Sequence, residues 1–146
     1  MSEETLPLRT DFPVVRTLAT RWSDEDVYGH VNNVVFYSYF DTAVNGYLIE
    51  ASGADIRRLH AIGVVVESSC RFLRGLNFPG DVLAGLAVTR LGSTSVTYRI
   101  GLYQGDVPEP AGIGSFAHVY VDETTRQPTP VPQVIRMAVN PLLLEG

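Results

Sequence analysis

Apolar and polar positions follow two different periods along the chain. From Val14 to Trp22, branched and apolar residues are broken by Arg16 and Arg21, the pattern of a first strand. Ser23 to Asn33 is polar and turn-rich. Over Asn33 to Ala51 the period becomes helical: Phe36, Phe40, Ala43, Val44, Tyr47 and Leu48 share a stripe that Val35 and Tyr39 widen. Asn32 or Asn33 fits the N-cap, and Gly53 the C-terminal stop. So broad a stripe predicts a helix wrapped by a sheet, not one lying on a surface.

From Ile62 onward the period is two. Strands are predicted over Ile62–Leu73, Val82–Leu91, Thr94–Gln104 and Ile113–Val121, with a turn at Gly92 and Ser93. In the third of these, Val96, Tyr98, Ile100 and Leu102 face one way, and Ser95, Thr97, Arg99 and Tyr103 the other. A tail with Pro128, Pro130 and Pro132 leads to a short helix over Gln133–Val139. A strand, one long helix and four strands joined by short turns make an α+β domain. At 146 residues, a single domain over 1–146 is expected.

Composition narrows the chemistry. Apolar residues form 45% of the chain and charged ones 18%, enough for a core that needs neither disulfide nor metal. The net charge of −5 argues against a nucleic-acid partner. All 11 basic residues are Arg, which excludes Schiff-base chemistry on lysine and leaves Arg or backbone N–H groups to hold any anion. Cys70 is the single cysteine, and no Cys/His cluster has zinc-ligand spacing, so no metal is expected. Met1 to Thr10 carries Glu3 and Glu4 and lacks the apolar core of a leader. No window approaches the ~20 apolar residues of a membrane span. A cytoplasmic protein without membrane contact is expected.

Reactive groups concentrate between Arg21 and Asn33, where Asp24, Glu25, Asp26, His30, Asn32 and Asn33 precede the helix. A helix N-terminus offers unpaired N–H groups and a partial positive charge, which suit a carbonyl oxygen turning negative. A carboxylate just upstream could activate water or attack directly. Thiolates leave readily, since thiol pKa values lie near ~8.5, so such a site suffices for thioester hydrolysis without a strong acid. Asp26 could instead be a turn residue, Asp24 a loop-shaping partner of Arg21, and Glu25 a solvated charge. His30 could polarise a carbonyl, orient Asp26 or brace the loop. Cys70, in mid-strand with no activating histidine nearby in sequence, reads as a packed residue.

The run Asp24-x-Asp26-x-x-Gly29-His30-Val31-Asn32-Asn33-x-x-x-Tyr37 resembles the 4-hydroxybenzoyl-CoA thioesterase branch of the hotdog-fold superfamily. Arg71-Phe72-Leu73-Arg74 before Phe78-Pro79-Gly80-Asp81 looks like the family's second-strand ending and turn. Arg90-Leu91-Gly92-Ser93-Thr94-Ser95 looks like its next hairpin, and His118-Val119-Tyr120-Val121-Asp122 like its last strand. The resemblance implies a hotdog fold, an antiparallel sheet of about five strands wrapped around one long central helix, assembled as a homodimer or homotetramer.

It also implies an acyl-CoA thioesterase with no cofactor beyond the coenzyme A of its substrate, and an active site at a subunit interface. Asp26 falls on the catalytic carboxylate, an N–H near Asn33 or Val34 on the oxyanion donor, and His30 assists. Many relatives have Asp-Pro-Ala-Gly where this chain has Asp26-Val27-Tyr28-Gly29 followed by His30. Tyr28, Tyr37, Arg71, Arg74, Arg90, Ser93 and Thr94 are the expected substrate-binding residues, the arginines as partners for nucleotide phosphates. Two other activities are open on the same fold: a non-catalytic acyl-CoA binding protein, and a thioester hydratase or dehydratase.

Overall fold

The computed structural model describes residues 5–144; the Glu3 and Glu4 used against a leader lie outside the described residues. Five strands, β1 (Val14–Leu18), β2 (Ala61–Phe72), β3 (Val82–Leu91), β4 (Ser95–Gln104) and β5 (Gly112–Asp122), form one antiparallel sheet in the order β1-β3-β4-β5-β2. The long helix α1 (Asn33–Ser52) lies against one face, and the short α2 (Gln133–Val139) packs beside it. No described helix is long and apolar enough to cross a membrane.

The core sits between α1 and the sheet. Phe36, Phe40, Val44 and Leu48 meet Val96, Tyr98, Ile100 and Leu102, all essentially inaccessible to solvent. Two glycines of β5 let the helix come this close: a Cβ on Gly112 would meet the Phe36 ring at 2.9 Å, and one on Gly114 would collide with Phe40. The helix is capped as its sequence foretells. Asn32 accepts the Val34 N–H through its side chain, and Gly53 ends the helix at a left-handed φ of 67°.

One expectation needs correcting. The first strand ends at Leu18, not Trp22, because Arg21 to Asp24 leaves the sheet and closes a 3-10 turn over Trp22–Asp24. Tyr103, on the face of β4 opposite the main core, is also fully buried: Phe12 covers it there, and the Tyr103 hydroxyl donates to the Pro7 carbonyl at 2.7 Å.

Candidate active site

The residues between β1 and α1 are held from three sides. Asp24 is 1% exposed, and its carboxylate accepts the Arg21 N–H at 2.9 Å, Arg21 Nε at 3.2 Å and the Tyr39 hydroxyl at 2.8 Å. Burial pushes this carboxyl up, but those donors and the Arg21 charge outweigh it, so it stays below the usual carboxylate value. The Asp24 carbonyl receives the Asn32 N–H at 2.9 Å, which fixes where α1 begins. Glu25 corrects its reading as a solvated charge: it is half-buried and accepts the Phe78 N–H at 3.2 Å. Val31 N–H donates to the Leu76 carbonyl and Asn77 Nδ2 to that of Gly29, tying the loop to the β2–β3 connection.

Inside this frame Asp26 forms a tight turn of its own. Its Oδ1 accepts the N–H groups of Tyr28 at 2.8 Å and, more weakly, His30 at 3.4 Å. Its backbone N–H donates to the His30 carbonyl at 2.8 Å, and Gly29 supplies the φ of 82° that closes the turn. The second carboxylate oxygen has no partner among the described residues. At the start of α1, Asn32 occupies the Val34 N–H by side chain and the Val35 N–H by backbone. That leaves the Asn33 N–H without a partner among the described residues. The His30 ring packs on Gly75, where a Cβ would lie 2.6 Å from Cδ2.

A pocket of about 420 Å³ collects Asp26, Tyr28, His30 and Asn33 from the loop and helix, and Phe72, Leu73, Arg74 and Gly75 from the end of β2. Arg74 sits at its edge in a loose ion pair with Glu109 at 3.8 Å. Tyr37 lies one ring behind, edge-on to Phe72 at 6.1 Å and to Phe40 at 5.9 Å.

The other expected binding residues are elsewhere in the chain. Arg71 alternates with Phe72 and turns to the opposite face of the sheet, in a groove with Ser69, Arg99 and Ser115. Arg90, Ser93 and Thr94 belong to the β3–β4 hairpin, whose backbone is held by Tyr120, Val131 and Arg136. A strand length, roughly 30 Å, separates them from the Asp26 corner. Phe72, Leu73 and Gly75 were missed as site residues, although they lie in the very run that ends β2.

No group of three His, Cys, Asp or Glu able to hold a metal exists among the described residues. Asp24 is turned away from Asp26, toward Arg21 and Tyr39. Cys70 is half-buried, and burial pushes its thiol up to about 11.

The sequence profile of the thioesterase superfamily matches residues 28–111, more than half of the chain. The chain belongs to the thioesterase superfamily. His30 and Asn33 lie within the matched residues, and the match begins just after Asp26. The enzyme class that follows is thioester hydrolase.

Among solved structures, this thioesterase is similar to a protein of Pseudomonas aeruginosa, with 43% identity, a TM-score of 0.91 and coverage of 95% of this chain and 97% of that one. A thioesterase from Thermus thermophilus, solved in complex with coenzyme A and zinc, matches at 29% identity with a TM-score of 0.74, covering 90% and 94%. A 1,4-dihydroxy-2-naphthoyl-CoA thioesterase from Synechocystis shares the fold at 16% identity, with a TM-score of 0.79 and coverage of 86% and 93%. No curated protein matches the chain. The hotdog reading of the strand and helix order stands.

Proposed function

We propose that the protein hydrolyses acyl-CoA thioesters, with Asp26 as the catalytic carboxylate and the Asn33 N–H as oxyanion donor. One observation carries this reading. Asp26 and Asn33 line one pocket, and one carboxylate oxygen of the first and the N–H of the second have no partners among the described residues. The two bonds to Asp26 Oδ1 fix the carboxylate and leave the other oxygen to act.

As general base, Asp26 takes a proton from water as the water oxygen attacks the thioester carbon. The carbonyl oxygen, now negative, is met by the Asn33 N–H and the positive end of α1. Collapse expels coenzyme A as its thiolate. As nucleophile, Asp26 would form a mixed anhydride that water then opens. Mass spectrometry of the Asp26 peptide after turnover in heavy-oxygen water detects the anhydride route where water opens the anhydride at the aspartyl carbon, since general-base hydrolysis leaves the carboxylate unlabelled. His30, packed on Gly75 beside the pocket, assists in positioning. The coenzyme A bound by the Thermus relative supports a coenzyme A substrate.

The proposal includes a second copy of the chain. β2 is a 12-residue edge strand with Val66 59% exposed, whereas the other edge, β1, has only 5 residues. A free edge of that length is a template for pairing, and a two-fold axis across it makes the pairing antiparallel. Because Phe72 ends β2 and also lines the Asp26 pocket, the second copy would sit beside the site. The lone Cys70, without a disulfide, accords with work in the reducing cytoplasm.

The test is thiol release from a panel of short, branched, long and aromatic acyl-CoAs, with Asp26→Asn alongside. The amide keeps an oxygen for the Tyr28 N–H but cannot take a proton. A loss of about 10²–10⁴ in kcat with the fold intact is expected. Equal turnover by the variant would remove Asp26 from its role. Binding of acyl-CoA without thiol release would identify a binding protein, and a changing enoyl absorbance with the thioester intact would identify a hydratase.

A further inference from the structure

Successive residues of the β2–β3 connection grip the Asp26 loop at separate points. The Leu76 carbonyl accepts the Val31 N–H at 2.8 Å, Asn77 Nδ2 donates to the Gly29 carbonyl at 2.9 Å, and the Phe78 N–H donates to Glu25 Oε2 at 3.2 Å. The outer contacts have anchors of their own: the Leu76 side chain is fully buried in the core, and the Phe78 ring meets Trp22 edge-on at 5.9 Å. Asn77 is braced from the end of β4. Gln104 Oε1 accepts the Asn77 N–H at 2.9 Å, and Gln104 Nε2 donates to the carbonyls of Asn77 at 2.7 Å and Gly80 at 3.0 Å. Backbone held on both sides thus delivers the exposed Asn77 side chain to Gly29.

This middle contact reaches Asp26. The Gly29 carbonyl and the His30 N–H belong to one planar peptide unit, so holding the oxygen fixes where the N–H points. That N–H is one of two donors to Asp26 Oδ1, at 3.4 Å, longer than the usual N–H···O bond. A bond already so long is lost on a modest rotation of the peptide. Gly29, at a φ of 82°, resists such a rotation less than any other residue type would. With the His30 N–H turned away, the Tyr28 N–H at 2.8 Å still holds Oδ1, but the carboxylate can swing about that single bond.

We infer that Asn77 is a positioning residue for Asp26: its amide pins the Gly29–His30 peptide, which keeps the second N–H on Asp26 Oδ1 and so fixes the plane of the carboxylate. The inference rests on the reading of Asp26 as the catalytic carboxylate and adds to it a residue from a distant segment. Asn77 is not among the residues that line the Asp26 pocket, so it acts on the carboxylate and not on the substrate. Its loss is therefore felt in kcat and spares KM. Gln104 works one step further back, by holding the backbone from which the Asn77 amide reaches out.

The experiment measures kcat and KM by thiol release for Asn77→Ala and Asn77→Leu, on the acyl-CoA that wild type turns over fastest. Both variants remove the donor, and leucine keeps the bulk, which separates a hydrogen bond from filled space. Because a misplacement of about 1 Å can cost about 10²-fold, the loss of this one tie should lower kcat about tenfold in both. KM should stay within about twofold of wild type. Gln104→Ala should lower kcat in the same direction, and adding it to Asn77→Ala should cost little more, since both act through one peptide. Adding Asn77→Ala to Asp26→Asn should leave the residual turnover unchanged, because the carboxylate it positions is already gone. Circular dichroism and thermal unfolding check that each variant is folded.

A wild-type kcat in either Asn77 variant would overturn the inference, as would a raised KM with kcat unchanged. So would a further tenfold loss in the Asp26→Asn background, which would show Asn77 acting elsewhere. Failure of wild type to release thiol from any acyl-CoA, or equal turnover by Asp26→Asn alone, would instead sink the reading of Asp26 on which the inference rests.

Discussion

Tyr39→Phe deletes one oxygen from a buried junction, and its cost can be worked from the geometry. The Tyr39 hydroxyl donates to Asp24 Oδ2 at 2.8 Å, and both residues are buried. Burial and the neighbouring carboxylate hold the phenol well above its usual pKa, so it remains a donor at any working pH. A hydrogen bond to a charged acceptor contributes about 1.5–3 kcal/mol. Asp24 keeps its two bonds from Arg21, but the Arg21 side chain is largely exposed and compensates weakly. A loss of about 2 kcal/mol is expected in urea unfolding at pH 7, or roughly 4–8 °C in Tm for a domain this size.

The pH dependence has a definite sign. The folded pKa of Asp24 is depressed below the ordinary value of 3.8, so its contribution is present above that value and lost as pH falls through the folded one. The Tyr39 hydroxyl is one cause of the depression. The gap between wild type and variant should therefore be full at pH 7 and shrink below about pH 4. A gap under about 0.5 kcal/mol at pH 7, or one undiminished at pH 3, would refute the assignment of that charge-assisted bond.

Gly75→Ala would place a Cβ 2.6 Å from His30 Cδ2 and drive the exposed ring outward. The expected activity loss is on the order of 10²-fold, matching that of His30→Ala, and the double variant should lose no more than either; additive losses would separate the two residues. Asn32→Ala removes the cap on the Val34 N–H and should cost about 1 kcal/mol, read by thermal unfolding. Burial moves the Cys70 thiol from 9.0 to about 11. Its thiolate fraction at pH 8 then falls by about two orders of magnitude, so the folded chain should resist iodoacetamide while the urea-unfolded chain reacts within minutes; equal rates would show an accessible thiol. Specific activity should also fall on dilution below the concentration at which sedimentation detects monomer, and a constant value through that range would place the whole site within one chain.

Much of the architecture was legible because its signals are local. The period of two from Ile62 onward and the helical stripe from Phe36 to Leu48 each need only one element to be read, and both fall within a residue or two of the observed bounds. The candidate catalytic loop was legible for a related reason: its charges precede a cap. What escaped depends on contacts between distant segments. Tyr103 alternates with the core residues of β4, and its burial on the other face depends on Phe12, far away in sequence. Glu25 looks like surface charge until Phe78 arrives from the β2–β3 connection. Arg71 stands one residue from Phe72, and that single step carries it to the other face of the sheet.

The separation of Arg90, Ser93 and Thr94 from Asp26 bears on how the site is completed. A single chain offers an open pocket, in which water would weaken any charge the Asn33 N–H had to stabilise. Around that pocket Val27 is 94% exposed and Tyr28 82%, apolar surface that a single chain leaves unburied. Hydrophobic surface beside the proposed catalytic carboxylate is costly unless something covers it, and what covers it also excludes water. A second copy paired along β2 would meet both needs at once, since the strand that pairs also ends at Phe72 in the pocket wall. On the proposed pairing the long edge strand, the exposed rim and the distant Arg90 would be one feature, a site drawn in halves by two copies of the chain.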